Sequence, residues 1–136
     1  MHRAALGMQA LELKFDLVLS SPYLRAKQTA EIVAQVYKIK KKEIHLTDNL
    51  LPPATIENLL QEINENFPKS ENILLAGHEP HLTEMISCLL KSDGPLVIDF
   101  KKGGLCSLTL GQSPNQLIAS LNWLLTPTQL GLLSKE

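Results

Sequence analysis

The chain has 136 residues, of which 44% are hydrophobic and 4% aromatic, and its formal net charge is -1. That length and composition suit one domain with an aliphatic core. The near-neutral charge supplies no field for holding nucleic acid or a membrane surface, and no apolar run reaches the ~18 residues that a membrane span needs.

Residues 3–13 read as a helix that starts without a side-chain N-cap. The nearly continuous apolar run Phe15 to Ser20 predicts a strand buried on both faces, as in a parallel sheet. Ser20-Ser21-Pro22 stops it. A helix is predicted from Tyr23 to Tyr37, with Thr29, Ile32, Val33 and Val36 on its inner face. The basic run Lys38 to Lys42 reads as a solvated helix end.

Glu43 to Leu46 is a short strand, and Leu50 to Ala54 a loop containing Pro52-Pro53. Thr55 is placed to N-cap a helix ending near Asn66, whose apolar face is Ile56, Leu59, Leu60 and Ile63. Ile73 to Ala76 is another short buried strand, broken by Gly77-His78-Glu79-Pro80. The next helix runs from His81 to Lys91, with Leu82, Met85, Ile86, Leu89 and Leu90 facing inward. Three strands are then expected, over Leu96 to Phe100, Leu105 to Leu110 and Leu117 to Trp123, before a short helical tail opens at Thr126-Pro127. Strand–helix alternation followed by strands predicts an α/β fold of three layers, α/β/α, with a mostly parallel sheet and a mixed-direction edge. Cys88 and Cys106 have no metal-type spacing and read as buried, reduced thiols of a cytoplasmic protein.

Two strand-to-helix junctions carry the candidate chemistry, because open α/β sheets bind ligands at the carboxyl ends of their strands. In Ser20-Ser21-Pro22-Tyr23-Leu24-Arg25, Arg25 falls in the first turn of a helix. There a cation is mildly opposed by the helix dipole, unless an anion lies between the two. In Gly77-His78-Glu79-Pro80, His78 sits just past a buried strand, where Gly77 permits close approach and Pro80 stiffens the turn. Taken singly, Arg25 reads equally as a surface arginine and His78 as a capping residue. Together they could close on one anion.

The stretch Ser-Ser-Pro-Tyr-Leu-Arg-Ala-Lys-Gln-Thr-Ala (20–30) resembles the second signature of the histidine phosphatase superfamily, which includes phosphoglycerate mutases. Gly77-His78-Glu79-Pro80 resembles its late Gly-His-x-Pro signature. The Leu-Leu-Pro-Pro segment, Phe-Lys-Lys-Gly-Gly (100–104) and the Trp123 strand followed by Thr-Pro are most similar to the SixA-type phosphohistidine phosphatase branch. The resemblance implies a phosphoglycerate mutase-like fold, no cofactor and no metal. It also implies a phosphorylated protein (phosphohistidine) or a small phosphate ester as partner, with neither nucleic acid nor membrane.

The resemblance makes Arg25 a phosphate-binding arginine and His78 the second pocket histidine, contacting the phosphoryl group and helping to move protons. Family members form a phosphohistidine on a different histidine, within an upstream strand ending in Arg-His-Gly, and water then hydrolyses it. These 136 residues hold no Arg-His-Gly, and His2-Arg3 has the reverse order with no glycine after it. The expectation is therefore an N-terminally incomplete domain whose first strand is missing and whose nucleophile is absent, so that the chain as it stands is inactive. Asp48 is the one candidate for a general acid in the stretch Thr47 to Pro52. A non-catalytic phosphate-binding module is the alternative from another class. A metal hydrolase built on His78, Glu79, His81 and Glu84 is disfavoured, because the spacing is not His-Glu-x-x-His and Pro80 interrupts it.

Overall fold

The computed structural model describes residues 1–91, 93–94, 97–113 and 116–134. Its centre is β1 (Leu17–Ser20), buried at all four positions. A short apolar strand flanked by helices is buried on both faces only when strands also flank it. β2 (Ile44–Leu46) and β3 (Ile73–Ala76) do so, both parallel to β1, in the order β2-β1-β3. The register sets Ser20 beside Leu46 on one side and Ala76 on the other. The turns that follow the three strands are thereby brought to one end of the sheet.

Side chains alternate between the two faces. Val18, Leu74 and Ala76 pack with Ala4, Ala5 and Met8 of α1 (His2–Ala10), with Ala26, Ala30 and Val33 of α2 (Leu24–Val36), and with Leu130 of α5 (Pro127–Leu132). Leu17, Leu19, Ile73 and Leu75 pack with Ile56, Leu59 and Ile63 of α3 (Ile56–Asn66) and with Met85 of α4 (His81–Leu89). Helices on both faces of a parallel sheet make the three-layer α/β/α arrangement. Each fully buried Leu or Val contributes about 1.5–3 kcal/mol relative to exposure.

The small residues of α1, α2 and α5 let this side close tightly. A Cβ on Gly7 would lie 1.9 Å from the Leu130 carbonyl oxygen, so α5 crosses α1 at a place that only glycine can occupy. The inner face of α2 is mainly alanine: Ala26, Ala30 and Ala34 are buried with Val33, while Thr29, Ile32 and Val36 are half-buried. The wide spacing of the branched residues hid this face in the sequence.

The caps match the local chemistry. Thr55 and Asn58 form a reciprocal capping box on α3, and Thr126 and Gln129 form one on α5, whose first residue is Pro127. Each threonine cap contributes about 1 kcal/mol. The helix α1 stops at Ala10, because Glu12 takes a left-handed conformation with φ 62. Beyond α2, Lys41 pairs with Glu31 at 3.0 Å on the surface.

The last third differs from expectation. β4 (Leu105–Ser113) and β5 (Gln116–Leu125) form an antiparallel two-stranded sheet of their own, with no ladder to β3. Leu105 and Leu125, at its base, pack on the core. The strand expected over Leu96 to Phe100 does not form at residues 97–100, which are irregular, and Pro95 and Leu96 lie outside the described residues. Val97 is 93% exposed, so nothing rewards an extended pairing there. Gly103 turns the chain into β4 at φ 78. Cys88 is exposed rather than buried, because it lies on the outer side of α4. Cys106 is half-buried, and burial pushes its thiol up. Among the described residues, no helix is long and apolar enough to cross a membrane.

Candidate functional site

The site lies at the carboxyl ends of β1 and β3. Ser20 ends β1, and its backbone carbonyl accepts from Thr47 N–H at 2.9 Å. Ser21 N–H donates to the Ala76 carbonyl at 2.9 Å, and Ser20 Oγ donates to the Ser21 carbonyl at 2.8 Å. Both serines are fully buried. Backbone bonds to both neighbouring strands therefore fix the start of the first junction. The Ser21 Oγ lies 2.7 Å from His78 Nε2 and accepts from Tyr23 N–H at 3.1 Å. A contact between residues 57 positions apart in sequence joins the two junctions directly.

The Tyr23 ring packs against the His78 ring, with centroids 5.4 Å apart and planes at 50°. Tyr23 remains 61% exposed and Leu24 68% exposed, so an apolar rim borders the imidazole. Arg25 is the second residue of α2 and is exposed. Its guanidinium makes no hydrogen bond or ion pair among the described residues. A long cation without a protein partner, beside the N-terminus of a 13-residue helix, is available to an anion.

The second junction is held by its own helix. His78 is half-buried, and its carbonyl accepts from Leu82 N–H at 2.9 Å. Glu79 accepts from Thr83 N–H at 2.8 Å and from the Thr83 hydroxyl, so its carboxylate caps α4. A Cβ on Gly77 would come within 3.0 Å of the Leu82 side chain, a milder constraint than at Gly7. His81 opens α4 at 4% exposure, and its buried Nε2 has no hydrogen-bond partner among the described residues. Four residues before Met85, it occupies the same helix face one turn nearer the strand ends.

Asp48 is exposed within the single helical turn Asp48–Leu50. Thr47 supplies the cap of that turn, with Thr47 Oγ1 accepting from Asn49 N–H at 3.1 Å. Thr47 Oγ1 and Asn49 Nδ2 both donate to Glu62 Oε1, at 2.5 and 2.8 Å, which ties the loop to α3. Arg3 donates to the Gly131 carbonyl on α5 at 3.3 Å, so it is engaged between α1 and α5. The structure thus joins His78 to the Ser21–Arg25 turn, and Asp48, next to the Thr47 that bonds Ser20, makes no side-chain hydrogen bond or ion pair with them among the described residues. Sequence reading quoted Ser21 without assigning it a contact. Its position, one residue past a strand and adjacent to Pro22, was the available signal. His81 gave no signal, because a histidine at a helix start is ordinarily solvated. Among the described residues, no group of three or more His, Cys, Asp or Glu side chains could hold a metal ion.

No family model matches the chain. An uncharacterised protein of Picosynechococcus sp. is 30% identical over 128 residues, covering 87% of this chain and 76% of that protein. A solved structure of the protein histidine phosphatase SixA complexed with tungstate superposes with a TM-score of 0.77 at 22% identity, covering 95% of this chain and 80% of that one. The chain belongs to the same family as the Picosynechococcus protein, and it has the α/β fold of the histidine phosphatase SixA.

Proposed function

We propose that this chain carries the phosphate pocket of a histidine-phosphatase-type domain, with Arg25 and His78 as the phosphate-binding residues. Phosphohistidine on a protein is the preferred substrate class, and a small phosphomonoester the broader one. The observation that carries the reading is the 2.7 Å contact between Ser21 Oγ and His78 Nε2, since it binds the two signature-bearing turns into one unit. The unpartnered Arg25 guanidinium and the SixA fold support it. Tungstate, bound in the SixA structure, is a tetrahedral oxyanion like phosphate.

In this reading, Arg25 neutralises charge on the equatorial phosphoryl oxygens, and His78 donates a hydrogen bond to one of them. Those groups are preorganised where charge accumulates in the transition state. Attack on phosphorus requires a nucleophilic histidine. The family places it in an Arg-His-Gly strand, which these 136 residues do not contain. The edge of β3 away from β1 has no strand partner among the described residues, and the resemblance puts that strand there. In this reading Arg25 and His78 supply the oxyanion-binding part of that chemistry. Asp48, one residue past the Thr47 that bonds Ser20, is a further candidate acid. Two reduced thiols, Cys88 and Cys106, fit a cytoplasmic setting.

Titration with tungstate, competed by inorganic phosphate, tests the pocket. Binding is expected for the wild type and is weakened in Arg25→Ala and, to a smaller degree, in His78→Ala. Undiminished binding in both variants would overturn the proposal. The lack of Arg-His-Gly favours a second reading, a phosphate-binding module that never catalyses. Hydrolysis of an aryl phosphate by the full natural polypeptide would exclude that reading.

A further inference from the structure

We infer that Ser21 is the positioning residue that fixes the tautomer of His78, leaving the proton on Nδ1 for donation to an oxyanion. The inference rests on the phosphate-pocket reading and names how one of its two groups is made a donor. A serine oxygen has two lone pairs and one proton. At Ser21 one lone pair takes the Tyr23 N–H, and among the described residues the remaining close partner is His78 Nε2. Donation of the Ser21 proton to Nε2 satisfies a fully buried hydroxyl and the ring nitrogen together. A neutral imidazole that accepts at Nε2 carries its hydrogen on Nδ1, since the bond at one nitrogen sets the state of the other.

The surroundings make this assignment stiff. Ser21 is held from β3 through the Ala76 carbonyl, and its own carbonyl is held by Ser20 Oγ. The His78 main chain is anchored into α4 through Leu82 N–H, and the Tyr23 ring lies against the imidazole. These bonds fix both main chains, and turning the side chains would break the Tyr23 N–H bond to Ser21 Oγ and the packing of the Tyr23 ring on the imidazole. The alternative neutral tautomer would turn a bare Nδ1 lone pair on the phosphoryl oxygens, which repels them. Ser21 thus lets an uncharged His78 act as a donor beside the permanently charged Arg25.

Long-range ¹H–¹⁵N correlation spectra of the His78 ring test this directly, at alkaline pH where the ring is neutral. The wild type is expected to show a bare Nε2 and a protonated Nδ1. Ser21→Ala should move the ring toward the Nε2-protonated form and weaken tungstate binding roughly tenfold, the worth of one hydrogen bond. Ser21→Thr should restore both. A wild-type ring protonated on Nε2 overturns the inference, and this spectrum decides even if neither variant folds. Arg25→Ala separates the two readings. It should weaken tungstate binding about 100-fold while leaving the tautomer unchanged, and unimpaired binding in that variant would sink the pocket reading alone.

Discussion

At the turn after β1 the buried serines are satisfied: Ser20 Oγ, Ser21 Oγ and both serine main chains are engaged, and Arg25, without a partner among the described residues, is exposed. At the turn after β3 the arrangement is reversed. Glu79, exposed, is committed to capping α4, whereas His81, buried, keeps an Nε2 without a hydrogen-bond partner among the described residues. The two turns occupy equivalent positions on adjacent parallel strands, so topology does not explain the difference. Division of labour does. The first turn is a rigid frame that presents a cation. The second carries the imidazole that the frame holds, and it tolerates an unsatisfied nitrogen in the packing beneath.

The largest effect that would sharpen this comparison is at Arg25. Replacement by alanine should weaken tungstate binding about 100-fold, as loss of a hydrogen bond from a charged donor does. The melting temperature should stay nearly unchanged, because an exposed, unpartnered side chain adds little to stability. A large drop in melting temperature would instead show Arg25 to be structural. His78→Ala removes one donor and strips Ser21 of its partner. It should weaken binding about tenfold and destabilise the fold by roughly 1–3 kcal/mol in chemical denaturation.

At His81 the sign reverses. His81→Leu should stabilise the protein by on the order of 1 kcal/mol, since a buried orphan nitrogen is replaced by apolar surface of similar size. Destabilisation would mean that the nitrogen has a partner in solution, and the contrast between the two turns would fail. The smallest effect expected is at Glu79, where alanine removes the cap on Thr83 N–H and should cost about 0.5–1 kcal/mol, leaving tungstate affinity unchanged.

The strands β1 and β3 were legible because a doubly buried parallel strand must be apolar at every position. The observed bounds are Leu17–Ser20 and Ile73–Ala76. The capped helix α3 was legible for an equally local reason: Thr55 and the Ile56, Leu59, Ile63 spacing state both its start and its buried face. On α2, Val33 is buried and Val36 packs on the core, while Ala26, Ala30 and Ala34 complete the buried face, because alanine marks a buried face only when the neighbouring layer is close enough to need it. The strand expected after Gly94 failed at residues 97–100, because β propensity without a partner does not make a strand.

The amino-acid order alone marked which residues are candidates for holding an oxyanion. A guanidinium and an imidazole each follow a buried strand, at turns whose serine, glycine and proline content allows no other local course. The meeting of those turns was decided only by the tertiary structure, through the β1–β3 register that sets Ser20 beside Ala76 and brings Ser21 to His78. Partners 57 residues apart carry no local signal in the sequence, because their separation is closed by strand pairing and not by helical or turn spacing. The orphan state of His81 has the same origin: its burial depends on the layer packed over α4.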